Sequence, residues 1–207
     1  MKVDWSKVLE AASGDVRRLS HVVRYSSIPI SVPENVAEHS YWVSLYAILI
    51  HRTLRPKDTT LVAPILLKAL IHDLPECVTG DVVRTFKYSS TSLKDEIDKA
   101  EAGIIQTFSE PVFNLYALLD DLAKDHESYI KDVVKAADFM SLHQYMLREI
   151  RRNGEIRPYY ARMESDLKNM ADSLISPKKY IGPYYPNELS DLYKAMLKMA
   201  KKVRANT

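Results

Sequence analysis

Apolar positions recur along nearly the whole chain at intervals of three and four, the spacing of one helical face. Val16, Leu19 and Val23 step this way after Ser13-Gly14-Asp15, a helix-start signal. Val36, Val43, Tyr46, Ala47 and Ile50 mark a longer second helix. Thr59-Thr60 can cap a third that carries Val62, Ile65, Leu66, Ala69 and Leu70. The same spacing predicts helices over about 92–108, 112–123, 127–152, 157–175 and 187–203. Alternating runs of strand type and Asn-Gly or Asp-Gly hairpin turns are missing, so the pattern predicts an all-α protein. Ser26 to Pro33 and the hydroxyl-rich Gly80 to Thr91 read as irregular segments, where binding groups commonly sit. The Pro183–Pro186 stretch, with Tyr184 and Tyr185, reads as a packed turn between helices.

Composition narrows this picture without redirecting it. The 207 residues, 46% hydrophobic and 27% charged, suit a single helical bundle domain spanning 1–207. Lys and Arg total 29 against 27 Asp and Glu, a formal +2, too little to call for a nucleic-acid partner. One cysteine, Cys77, excludes an internal disulfide and fits a reducing compartment. Neither a secretory leader nor an apolar run of membrane-spanning length is present; Tyr41 to Ile50 is short and ends in His51-Arg52. The expectation is a cytoplasmic protein with no membrane and no nucleic-acid partner.

The informative feature is polar groups on faces that should be apolar. His39 shares a stripe with Val43, Tyr46 and Ile50; His72 with Ile65 and Ala69; Asp138 with Val134, Ser141 and Tyr145. Asp73 stands next to His72. Singly, each has an ordinary explanation: a core histidine with a hydrogen bond, an aspartate that caps a helix or pairs with arginine. Jointly, a carboxylate and imidazole from three helices cost several kcal/mol, roughly, unless a cation sits among them. Two imidazoles and two carboxylates form a mixed N/O set suited to Mn, Fe, Co, Ni or Zn, with Mg possible as a harder ion. Pro75 should break the third helix just past Asp73 and place Glu76 in the first turn of the next. There Glu76 either complements the helix dipole or serves as a proton-transfer carboxylate beside the metal.

These residues carry a resemblance. The order His39…His72-Asp73…Asp138 resembles the HD-domain metal-dependent phosphohydrolases, and within them the bacterial deoxyribonucleoside 5′-nucleotidase branch. Arg24-Tyr25, Glu34-Asn35-Val36-Ala37-Glu38-His39-Ser40 and His72-Asp73-Leu74-Pro75-Glu76 are similar to blocks of that branch. So are Thr79-Gly80-Asp81, followed by Lys87-Tyr88, and Lys135-Ala136-Ala137-Asp138. The likeness implies an HD-domain helical bundle with metal ligands His39, His72, Asp73 and Asp138, and Glu76 as the catalytic carboxylate. It implies Asp81 on the sugar hydroxyl and Arg24 on phosphate or sugar. Where the branch has Arg-Trp this chain has Arg24-Tyr25, which leaves deoxyribose selectivity open. Where the branch often carries prolines, it has Val82-Val83-Arg84. Arg84 and Lys87 are candidate phosphate contacts, or plain solvated charges.

The expected activity is release of phosphate from (deoxy)nucleoside 5′-phosphates, monophosphates favoured. A deoxynucleoside triphosphohydrolase of the dATP type and a low-turnover nucleotide sensor are the alternatives. A pure sensor has no need of Glu76. The likeness also implies a homo-oligomer, dimer or higher, and the Met-rich 195–200 segment could serve that contact or its own core.

Overall fold

The computed structural model describes residues 5–87, 89–175 and 186–205. Within them the helical periodicity is realised as α1 (Trp5–Ser13), α2 (Val36–Leu54), α3 (Val62–Ile71), α4 (Glu76–Thr79) and α5 (Arg84–Lys87). It continues as α6 (Thr91–Ile105), α7 (Glu110–Ala123), α8 (Glu127–Arg152), α9 (Arg157–Ile175) and α10 (Pro186–Ala205). The all-α expectation holds: β pairing among the described residues is confined to one antiparallel bridge, Val23 with Asn35.

Most boundaries follow local chemistry. Asn35 and Glu38 form a capping box at the start of α2, each side chain taking the other's backbone N–H. Pro75 has no N–H to bond the Ile71 carbonyl, so α3 ends there, two residues earlier than the sequence predicts. The Tyr116 hydroxyl and the Leu74 amide donate to that carbonyl instead.

Three local expectations are corrected. Asp15–His21 is a 3-10 helix rather than α. Thr59-Thr60 do not cap α3; Asp58 Oδ1 accepts the Thr60 amide and hydroxyl, leaving Leu61 as an uncapped entry. The irregular 80–91 segment contains the short α5. Helix α1 is an addition to the predicted helices: Trp5, Val8, Leu9 and Ala12 carry the three-and-four spacing, yet the helix buries no residue and exposes Trp5 and Leu9. The expected turn at 183–186 lies outside the described residues except for Pro186, which opens α10.

Helix α8 is the spine: α2, α3, α9 and α10 all pack on it. Its 26 residues span roughly 39 Å at the helical rise. On α2 the buried face sets small and imidazole-bearing residues (His39, Ser40, Ser44, Ala47, His51) beside Val36, Val43 and Ile50, and Ser40 and Ser44 return their hydroxyls to Val36 and Ser40 carbonyls. Such residues let helices approach closely without stranding a polar group. Helix α10 buries Met196 and Ala200, and His143 of α8 bonds the Met196 carbonyl at 2.9 Å, so the Met-rich segment packs one face on its own core. The apolar core runs through the described chain from Leu19 to Val203. No described helix is long and apolar enough to cross a membrane.

One loop wraps back onto α8. Glu149, fully buried, accepts from the Ser31 and Val32 amides at 2.5 and 3.3 Å. The Tyr145 hydroxyl donates to the Val32 carbonyl and the Asn153 side-chain Nδ2 to the Pro29 carbonyl. This clamp holds the 26–33 segment over the end of the bundle where the functional groups gather.

Candidate metal and nucleotide site

His39 projects from the second turn of α2, His72 and Asp73 from the turns after α3, and Asp138 from the middle of α8. The fold brings all four together. His39 Nε2 lies 3.1 Å from Asp138 Oδ1 and 3.5 Å from Asp73 Oδ2. His72 Nε2 lies 3.1 Å from Asp73 Oδ2. One ligand atom each from His39, His72 and Asp138 falls within 4.8 Å of the others. His39 is sealed, whereas Asp138 and Asp73 keep part of their surface in a cleft, so the carboxylates are less buried than their helical stripes imply.

The outer nitrogens are already committed. His72 Nδ1 lies 2.7 Å from the Ala69 carbonyl, which fixes its proton there, and His39 Nδ1 lies 3.1 Å from Ser141 Oγ. Both Nε2 atoms are buried without a hydrogen-bond partner. Two orphaned imidazole lone pairs facing two carboxylates are the donor set of a divalent cation. The residues fit a metal.

Electrostatics report the same need. Burial opposes a charge on His72, yet Asp73 outweighs it and raises the imidazole to about 9. Burial, then Arg24, lowers His39 to about 4. Asp73 is held well below the carboxylate range by His72 against the opposing effect of burial, and Asp138 is lowered by His39.

A cleft of about 370 Å³ opens over this cluster, and Glu76, Arg24, Tyr25, Asp81 and Lys87 all line it. A second cleft of about 380 Å³, between α2, α8 and α10, is apolar apart from Glu188 and Thr53 and holds no such cluster. Burial, then the Asp73 and Asp81 carboxylates, pushes Glu76 up to about 9. Gly80 closes α4 at φ 72°, a left-handed geometry that favours glycine, and turns Asp81 back toward the loop before α2. Asp81 Oδ2 accepts the Tyr25 amide at 2.9 Å. Tyr25 itself has φ 58°, a strained value for a non-glycine residue, and stacks on Tyr145 at 5.2 Å. The Arg24 guanidinium sits 4.9 Å from the Tyr25 ring centre.

Lys87 reaches the cleft wall, but its ammonium lies 2.6 Å from Glu101 and 3.7 Å from Asp98 of α6. The backbone of Arg84 lies in α5; its side chain, like Tyr88, is outside the described residues. Sequence reasoning missed several neighbours. Glu34, quoted in a motif without a role, is buried behind His39, and Tyr159, Arg162 and Asp166 of α9 also line the cleft. Their spacing of three and four was a visible signal, but nothing in the sequence told which face of α9 meets the cleft. Glu149 had a clearer signal, four residues beyond Tyr145 on the Asp138 stripe.

A family model for YfbR-like 5′-deoxynucleotidases matches residues 14–187. The chain belongs to this family. A 5′-deoxynucleotidase of Erwinia tasmaniensis is 30% identical over 141 residues, 65% of this chain and 71% of the relative. The 5′-deoxynucleotidase YfbR of Shigella boydii is 28% identical over 159 residues, 73% and 79% of the two chains. Among solved structures, the HD phosphohydrolase DatZ of cyanophage S-2L, bound to dA and one catalytic Zn2+ ion, aligns with a TM-score of 0.63 at 21% identity. That alignment covers 91% of this chain and 95% of DatZ. The PH0347 protein of Pyrococcus horikoshii aligns at 0.59 and 19% identity, over 97% and 99% of the two chains. The likeness bears on the fold, which is that of the HD phosphohydrolases, and family membership bears out the reading of a nucleotide phosphohydrolase.

Proposed function

We propose that this 5′-deoxynucleotidase family member hydrolyses the 5′-phosphate ester of deoxynucleoside monophosphates, with a divalent transition ion held by His39, His72, Asp73 and Asp138. The observation that carries the reading is the meeting of two orphaned imidazole nitrogens with two carboxylates on the floor of a cleft that also holds Glu76 and Arg24. A cation bound there supplies Lewis acidity toward a phosphoryl oxygen and toward water. The mixed N/O set favours Zn, Co, Mn, Fe or Ni over Mg, and the zinc of DatZ supports that class.

The remaining work falls to side chains. Glu76 holds and moves a proton: it lines the cleft with Asp73 and Asp138, where an ionised carboxylate can take a proton from water and pass it to the leaving 5′-oxygen. Arg24, buried yet kept charged by the Asp138, Asp73 and Glu34 carboxylates, is the cation for a phosphate oxyanion. Asp81 acts on the sugar through Tyr25, whose strained backbone it holds, and its cleft position also allows contact with a sugar hydroxyl.

Monophosphate is favoured because the Lys87 charge is spent on Glu101 and Asp98. Triphosphate is the second reading, and Arg162, a further cation in the cleft lining, is what favours it. The test is kcat/KM for dAMP, dADP, dATP and AMP with Mn, Co, Zn and Mg, products separated by chromatography. A tenfold or greater preference for dATP would replace the first reading with the second; no phosphate release from any of them would end both.

The same reading takes residues 1–207 as one domain in the cytoplasm and the protein as a homo-oligomer. The continuous core supports the first, and the exposed Tyr41, Leu45 and Leu49 stripe on α2 supports a contact between copies.

A further inference from the structure

Arg24 and Glu34 face each other across the Val23–Asn35 bridge. The Arg24 amide donates to the Glu34 carbonyl at 2.9 Å and the Val36 amide to the Val22 carbonyl at 3.0 Å, so the backbone fixes the two side chains as neighbours. Both are buried, with Arg24 Nη1 3.7 Å from Glu34 Oε2. Neither atom has a hydrogen-bond partner. A buried ion pair held apart and unsatisfied is costly, and such pairs persist where a third group completes them. Arg24 lines the cleft, so the missing partner on its side is an oxyanion.

The position of Glu34 sets its role apart from that of the metal ligands. Its Oε2 lies 4.0 Å from His39 Nδ1, behind the ring, whereas Asp73 and Asp138 meet the opposite nitrogen. The charges surrounding Arg24 include Asp138, Asp73 and Glu34. Without Glu34 the guanidinium would be drawn toward the two ligand carboxylates and away from the cleft wall. We infer that Glu34 is a positioning residue, whose buried carboxylate holds the Arg24 guanidinium at the cleft wall to receive the substrate phosphate. The inference rests on the nucleotidase reading for its substrate but not for its test.

The probe is inorganic phosphate, bound to the metal-loaded protein and read by calorimetry, alongside KM and kcat for dAMP. Glu34→Gln keeps the shape and removes the charge. It should weaken phosphate binding and raise KM about tenfold, with kcat within about threefold and metal content unchanged. Glu34→Asp, the conservative variant, should recover part of the loss and stands in if the glutamine variant fails to fold. In an Arg24→Ala background Glu34→Gln should have no further effect, because Glu34 acts through Arg24. Additive losses, unchanged phosphate affinity, or a loss explained by missing metal would overturn the inference. If wild-type protein binds phosphate in this pattern yet releases none from nucleotides, the inference stands and the nucleotidase reading falls.

Discussion

Glu149 is the buried carboxylate of the clamp that also includes Tyr145 and Asn153, so Glu149→Ala is a demanding test of how the fold builds the site. Glu149 is 0% exposed and accepts three hydrogen bonds, from Ser31 N at 2.5 Å, Val32 N at 3.3 Å and Arg152 Nη1 at 3.0 Å. A hydrogen bond to a charged group is worth about 1.5–3 kcal/mol. The three do not count equally. The Val32 contact is long, and Arg152 is half in solvent, where an ion pair contributes little. Ser31 itself is exposed, so its amide can turn to water once released. The net cost is about 2–4 kcal/mol, which for a chain of this size lowers Tm by roughly 5–15 °C. Glu149→Gln keeps one acceptor and should cost about half as much. Function should follow stability, because the released segment carries Ser27 and Ile28 of the cleft lining. KM for dAMP should rise more than kcat falls, as the ligand cluster stands on α2, α8 and the turns after α3. Thermal melts with and without metal, paired with steady-state kinetics, give both readouts. An alanine variant melting within about 2 °C of wild type, with unchanged KM, would refute the clamp.

Three other outcomes follow from the same geometry. Chelation should abolish activity that added Mn, Co or Zn restores, and Asp138→Ala should erase the rise in Tm that saturating metal gives wild type, where a hundredfold excess over Kd adds about 2.7 kcal/mol of stability; equal metal-induced shifts in both proteins would remove Asp138 from the ligand set. Glu76→Gln should lose about 10²–10⁴ in kcat at full metal content, and wild-type turnover would leave Glu76 as a helix-start charge. Burial lowers His143 to about 4 from an ordinary 6.5, so the unfolded chain takes up the extra proton as pH falls through that window and stability drops with it, by up to about 3 kcal/mol; urea unfolding at pH 7 and 4.5 in chelator should show a smaller drop for His143→Gln than for wild type, and equal drops would contradict a neutral buried imidazole.

The parts of the fold legible in the sequence were those where one face of a helix meets the core. Helix α8 was predicted at 127–152 and α9 at 157–175, and both ranges are realised. Helix α1 carries the same spacing at Trp5, Val8, Leu9 and Ala12 but buries none of them, so there the spacing marks a helix without marking a core. The same logic divides the site. His39, His72 and Asp138 stood out because a polar group on an apolar stripe breaks a pattern. Glu34 sits in a loop with no periodicity to break, and its burial follows from the chain reversal at the Val23–Asn35 bridge. Lys87 was legible as a cation, but its pairing with Glu101 and Asp98 depends on how α5 packs against α6. A charge in a sequence has a sign; its partner is a property of the fold.

What the sequence could least convey is how closely the negative groups are crowded. Asp73, Glu76, Asp81 and Asp138 line one cleft, with Glu34 buried behind His39 and Arg24 as the buried cation among them. The metal-free protein answers this crowding with protons. His72 retains one up to about 9 because Asp73 faces it, and Glu76 retains one up to about 9 because of burial and the neighbouring Asp73 and Asp81. One is an imidazole and the other a carboxyl, yet both shifts have the same sign and share Asp73 as a cause. Positive charge is missing from the centre of the cluster, and protons take its place at the rim. A divalent cation there would relieve both at once, lowering the cost of a neutral His72 and of an ionised Glu76. The proposed ligand set and the Glu76 carboxyl are therefore one electrostatic unit, and a substitution in either changes the charge balance that the other depends on.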